Sequence, residues 1–188
     1  DLAEFFKFIT QNKFSAYLNI PSYSKGNEVS LSSDVLLKLA AKRIKEFENI
    51  IFVIDGDKGN EITRAHRNLL ALPCKLALEH QMYLLLKDLP ENDSFWGQEL
   101  GEYNKQICFR NFGSIPSASH TQEYKNWFLS QKAYWGRANN KLYKRWQIDH
   151  KDECVTFIKK FVEKLKKVSV YSKQLEEIEK DLLKSLVQ

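Results

Sequence analysis

Asp55 and Asp57 stand either side of Gly56 and follow directly on the apolar run Ile50-Ile51-Phe52-Val53-Ile54. Two carboxylates held a few ångströms apart repel each other unless a proton or a cation lies between them. Hard oxygen donors suit Mg²⁺ or Mn²⁺. The apolar run is continuous rather than alternating, which is the pattern of a strand buried on both faces of a parallel sheet. Helices cover such sheets, and ligands collect beyond the carboxyl ends of their strands. Alternation along the strand points both aspartates in one direction, and Gly56 lets a ligand or metal approach the backbone. The spacing predicts a divalent-metal site at a strand end. The competing expectation is a solvated Asp-Gly turn.

The elements that must position this pair read as an α/β pattern. Leu2, Phe5, Phe6 and Ile9 recur at helical spacing, so residues 2–12 read as a helix, followed by a strand over 15–20 and a polar loop over 21–28. Ser32, Ser33 or Asp34 caps a helix running to about Phe47. Strand 50–54 comes next, then a polar loop, a short helix over 61–68, and a strand over 69–72 closed by Pro73. A helix over 76–89 carries Glu79 in its first turn and stops at Pro90. Helix, strand, helix, strand is an order that gives parallel neighbours. From Asp93 onward helical periods fit 98–109, 121–132, 138–149, 152–166 and 172–187, the last with an amphipathic pattern of the coiled-coil kind. The expected architecture is a small parallel sheet flanked by helices over 1–92, followed by a mostly helical region over 93–188.

The chain has 188 residues, enough for roughly one domain with a helical extension. Its net charge of +5 and pI near 9.0 suit an anionic partner, and nucleic acid is the commonest one. Cys74, Cys108 and Cys154 are odd in number, far apart and without a CxxC, so neither a zinc site nor a disulfide framework is expected. Reduced thiols in a cytoplasmic protein are the simplest account. No apolar run suggests a membrane span, and no signal peptide is visible. The chain starts at Asp1 without a methionine, which suggests a fragment.

The strand ending in Asp55-Gly56-Asp57 is followed by Leu72-Pro73, Leu78-Glu79, Leu89-Pro90-Glu91-Asn92-Asp93-Ser94-Phe95-Trp96, Tyr124-Lys125-Asn126-Trp127-Phe128 and Trp135-Gly136-Arg137. This series resembles the TOPRIM nuclease half of OLD-family ATP-dependent endonucleases over most of residues 1–165. The resemblance implies a TOPRIM-like core in which acids from several strand and helix ends hold one or two Mg²⁺ or Mn²⁺ ions. Asp55 and Asp57 match the family's paired acids, Glu79 a further metal-binding Glu, and Glu4 an acid near the first strand. That strand and its Glu would fall before Asp1. A basic residue that stabilises the developing phosphoryl charge matches Lys132 or Arg137. The implied activity is DNA cleavage alongside an upstream ATPase domain, in the same or a partner chain, in defence against phage. A dimer or higher homo-oligomer and no membrane complete the expectation.

Each candidate also has a plainer role. Glu4 and Glu79 suit the positive end of a helix. Lys25, Lys58 and Arg64 near the strand ends, with Lys125 and Arg137 further on, could contact DNA or be ordinary surface residues. Trp127, Trp135, Tyr143 and Trp146 are expected in a core between helices, although basic residues interleaved with aromatics can also line a nucleic-acid path. Lys159, Lys160, Lys164, Lys166 and Lys167 read as a solvated face. Two other functions compete. In a HAD-type phosphohydrolase the first Asp of the pair would be the nucleophile, but Gly59 stands where that family expects Thr or Ser. The other is a catalytically silent TOPRIM-like scaffold for assembly.

Overall fold

The computed structural model describes residues 2–17, 31–42, 44–97, 103–110, 121–135 and 139–187. The protein is mixed α/β and mostly helical. It divides into two compact units, Asp1–Lys75 with His150–Gln188, and Leu76–Asp149. The expected division fell at residue 92; here residues 76–92 group with the helices that follow them, and residues 150–188 group with the N-terminal segment.

In the first unit, α1 (Leu2–Ile9) turns Phe5, Phe6 and Ile9 to one face, and all three are buried. Phe6 meets α7 (Lys151–Val168), whose stripe Cys154, Phe157, Ile158, Phe161, Val162 and Leu165 is buried at helical spacing. Phe6 lies edge-on to Phe161 at 5.1 Å, and Phe14 does the same at 5.2 Å. Burying each such ring contributes about 1.5–3 kcal/mol. α8 (Ser172–Val187) packs along α7 and buries Leu175 and Leu182. Its apolar positions therefore find partners inside the unit.

α1 ends in a turn of left-handed backbone at Gln11 and Asn12, with φ of 49° and 54°. Thr10 donates its hydroxyl to the carbonyl of Phe6, and the Asn12 N–H reaches that of Lys7. The chain folds back there, Phe14 is drawn into the core, and Ser15–Tyr17 form a 3-10 turn. The strand expected over 15–20 does not form at 15–17; residues 18–20 lie outside the described residues.

α2 (Ser33–Ala41) starts at Ser32, whose hydroxyl accepts the Val35 N–H, and buries Leu37 and Ala40 against Ile54 and Leu69. β1 (Phe52–Ile54) and β2 (Leu69–Ala71) pair in parallel, with Phe52 opposite Leu69 and Ile54 opposite Ala71. Asn68 secures the approach to β2 by donating to the carbonyls of Phe47 (3.0 Å) and Ile50 (2.9 Å). Both expected strands are present, but β1 is shorter than 50–54 and is not buried on both faces. Ile54 is enclosed, Phe52 and Val53 are half-buried, and Ile50 is exposed. Among the described residues, β2 is the only strand paired with β1. The connection is a 3-10 helix over Gly56–Glu61 followed by turns, so the short helix expected at 61–68 lies earlier and is wound more tightly.

The second unit contains α3 (Leu78–Asp88), α4 (Lys105–Phe109), α5 (Thr121–Trp135) and α6 (Asn139–Asp149). Its core is aromatic: Tyr83 meets Tyr124 and Trp127 edge-on at 5.2 Å each, and Phe109 stacks on Trp127. Trp127, Tyr143 and Trp146 are buried, the core role expected of them, while the Trp135 side chain lies outside the described residues.

Candidate functional site

Asp55 leaves the end of β1 in extended backbone, and its carboxylate accepts the Gly56 N–H at 2.8 Å. That bond starts the 3-10 helix, so the strand does not continue through Asp57. The alternation expected to aim both acids one way does not operate across them. The two carboxylates are instead arranged by a turn, with Asp55 half-buried at its base and Asp57 exposed in its first winding.

Gly56 is what allows this turn. It is buried, and a Cβ built there would lie 1.8 Å from the Cys74 carbonyl oxygen and 2.6 Å from Cys74 Sγ. The turn is thus pressed against the chain leaving β2. The Cys74 thiol also approaches Asp55 Oδ1, at 3.8 Å. Burial, then the Asp55 charge, push the Cys74 pKa well above the ordinary thiol range. Cys74 is therefore a neutral donor that helps orient the carboxylate. Burial likewise pushes Cys108 and Cys154 up to about 12. All three cysteines are free and buried, in keeping with the expectation of reduced thiols.

The other expected site residues fall in different places. Lys58 turns to acids, with Glu61 at 2.8 Å and Asp34 at 3.5 Å. The Glu61 hydrogen bond raises its pKa, followed by the Glu61 and Asp34 charges. Glu4 is exposed on α1. Glu79 lies in the first turn of α3, in the second unit; it is buried, and its Oε2 has no hydrogen-bond partner among the described residues. No group of three or more His, Cys, Asp and Glu side chains gathers to hold a metal among the described residues, so Glu4 does not form such a group with Asp55 and Asp57. Lys125 is exposed on α5. Lys25, Arg137 and the Lys132 side chain lie outside the described residues.

Arg64 is exposed and lines an open groove of about 1180 Å³ between the segment around β2 and α7. Gly59, two residues beyond Asp57, is among its lining residues. Neither the groove nor the Cys74 contact was legible beforehand, because both depend on segments distant in sequence coming together.

The chain matches no protein-family model, no curated protein and no solved structure.

Proposed function

We propose that the chain carries a TOPRIM-like, divalent-cation-dependent endonuclease site of the OLD type at the carboxyl end of β1. It would hydrolyse DNA phosphodiesters with an ATPase domain of the same or a partner chain, in a cytoplasmic homo-oligomer acting against phage. The supporting observation is the Asp55-Gly56-Asp57 turn at a parallel strand end, held by the Cys74 contact that only glycine permits.

The donor set fits the ion. Mg²⁺ is commonly bound by one or two carboxylates, with waters and substrate phosphates completing its shell. Asp55 and Asp57 would hold it. The ion, when bound, lowers the pKa of a water and neutralises phosphoryl charge. Asp55, oriented by Gly56 N–H and the neutral Cys74 thiol, fixes one donor. Asp57, on the open side, meets the substrate. Asp55 and Asp57 alone carry the proposal: Glu4 forms no metal-holding group with them among the described residues, and Glu79 and Lys132 belong to the second unit.

The test is nicking of supercoiled plasmid with Mg²⁺ or Mn²⁺ by the wild-type chain and by Asp55→Asn and Asp57→Asn. Metal-dependent nicking that both substitutions abolish is expected. Nicking that survives both places hydrolysis elsewhere, and no nicking by the folded chain, with its ATPase domain supplied, favours the scaffold reading.

A further inference from the structure

Two segments far apart in sequence bring their basic side chains to one groove. Arg64, His66 and Arg67 come from the turns before β2, while Lys160, Lys164 and Lys167 come from α7. The α7 residues share a face with Thr156 because they fall three, four and seven residues apart. The sequence pattern alone made them a solvated face; the opposing arginines make them one wall of a channel.

The two walls are tied together. The Lys164 ammonium donates to the Arg67 main-chain carbonyl. His66 Nδ1 accepts the Thr63 N–H at 2.9 Å, so its neutral ring carries the proton on Nε2 and presents a donor there. Lys164 is half-buried, and burial followed by the Lys167 charge lowers its pKa. Three acids also line the groove. Glu163 is matched by Lys167 at 2.7 Å, while Asp152 and Glu153 lie at the opposite end, in the first turn of α7. Arg64, Arg67, Lys160 and Lys164 therefore set the sign of the basic end.

The volume of about 1180 Å³ exceeds the roughly 300–1,000 Å³ of small-molecule pockets, and charged side chains line it alongside apolar residues such as Ile62, Leu70 and Pro73. Of the two rings among the lining residues, Phe157 is buried in the core, and the half-buried His66 is held through Nδ1 by the Thr63 N–H. We propose that the basic end of this groove binds the phosphate backbone of duplex nucleic acid without reading its bases, placing the strand beside the Asp55-Gly56-Asp57 turn. The groove rests on the endonuclease reading only for that last clause.

Binding of a short mixed-sequence DNA duplex is measured by fluorescence anisotropy on the whole chain in EDTA across a salt series. Four phosphate contacts give a slope of log K against log salt of about −3.6, or roughly a hundredfold loss between about 0.05 and 0.2 M salt. Arg64→Gln with Lys160→Gln should flatten the slope by about two and weaken binding roughly sixtyfold near 0.1 M salt. The control, Lys173→Gln with Lys180→Gln on α8, removes equal charge from residues that do not line the groove and should leave the slope unchanged. An unchanged slope in the groove variant, or an equal loss in the control, overturns the proposal. EDTA removes any need for the cation. Salt-dependent binding without cleavage on adding Mg²⁺ and the ATPase domain would therefore sink the endonuclease reading and leave the groove; cleavage with no dependence on Arg64 and Lys160 would do the reverse.

Discussion

Gly56→Ala probes the contact that shapes the candidate site. The added methyl would meet the Cys74 carbonyl oxygen at 1.8 Å, its carbonyl carbon at 2.6 Å and Sγ at 2.6 Å. Non-bonded carbon atoms settle near 3.5–4.0 Å, so relief requires a movement of about 1.5 Å or more. Two of the three atoms are main chain and cannot rotate away. The Cys74 N–H is bonded to the Leu72 carbonyl at 2.8 Å, and the Leu72 N–H to that of Ile54 at 3.0 Å. Shifting Cys74 strains both bonds, each worth about 0.5–1.5 kcal/mol, in addition to about 1–3 kcal/mol for overpacking. The expected destabilisation is about 3–5 kcal/mol. All four tryptophans lie in Leu76–Asp149, so their fluorescence follows the wrong unit. Urea unfolding should be followed by far-UV circular dichroism, with amide exchange at Phe52, Ile54 and Leu72. Gly59→Ala is the comparison: its nearest neighbour is the Ala71 Cβ at 3.3 Å, and a cost below about 1 kcal/mol is expected. Adding Cys74→Ala to Gly56→Ala removes only the Sγ contact and should restore little. A Gly56→Ala protein within about 0.5 kcal/mol of wild type would refute the close approach, and with it the account of how Asp55 and Asp57 are arranged.

Asn68→Ala should cost about 1–2 kcal/mol in urea unfolding, because it deletes the two amide bonds to Phe47 and Ile50. Arg145→Met leaves the mostly buried Asp93 carboxylate without its guanidinium; a loss of about 1–3 kcal/mol in the tryptophan-monitored transition is expected. His80 stacks on Tyr124 at 4.0 Å, and burial lowers its pKa below 6.5. The unfolded chain takes up that proton first as pH falls through about 6.5, so the second unit should lose stability from there down to the folded pKa. In His80→Gln, thermal melts across that range should lose this part of the pH dependence.

Elements held by local pattern were legible in the sequence. The stripe from Cys154 to Leu165 announces α7, Ser32 announces the start of α2, and the apolar runs ending at Ile54 and Leu72 announce the two strands. Features that depend on distant segments were not. Ser15–Tyr17 carries β-compatible residues, but the reversal at Gln11 and Asn12 and the burial of Phe14 against Phe161 override that preference. The Asp-x-Asp pair was visible as chemistry, yet the turn that separates its two environments follows from Gly56 meeting Cys74, eighteen residues later. The lysines of α7 looked solvated because nothing in their own segment shows the arginines opposite them.

The central claim is that Asp55 and Asp57 hold a divalent cation. Mn²⁺ titration followed by water-proton relaxation reads that event without requiring DNA, an ATPase domain or turnover. The account predicts binding by the wild-type chain, weakened at least about tenfold by Asp55→Asn and by Asp57→Asn, with circular dichroism unchanged. Equal Mn²⁺ affinity in all three proteins, or none in the wild type, would contradict it.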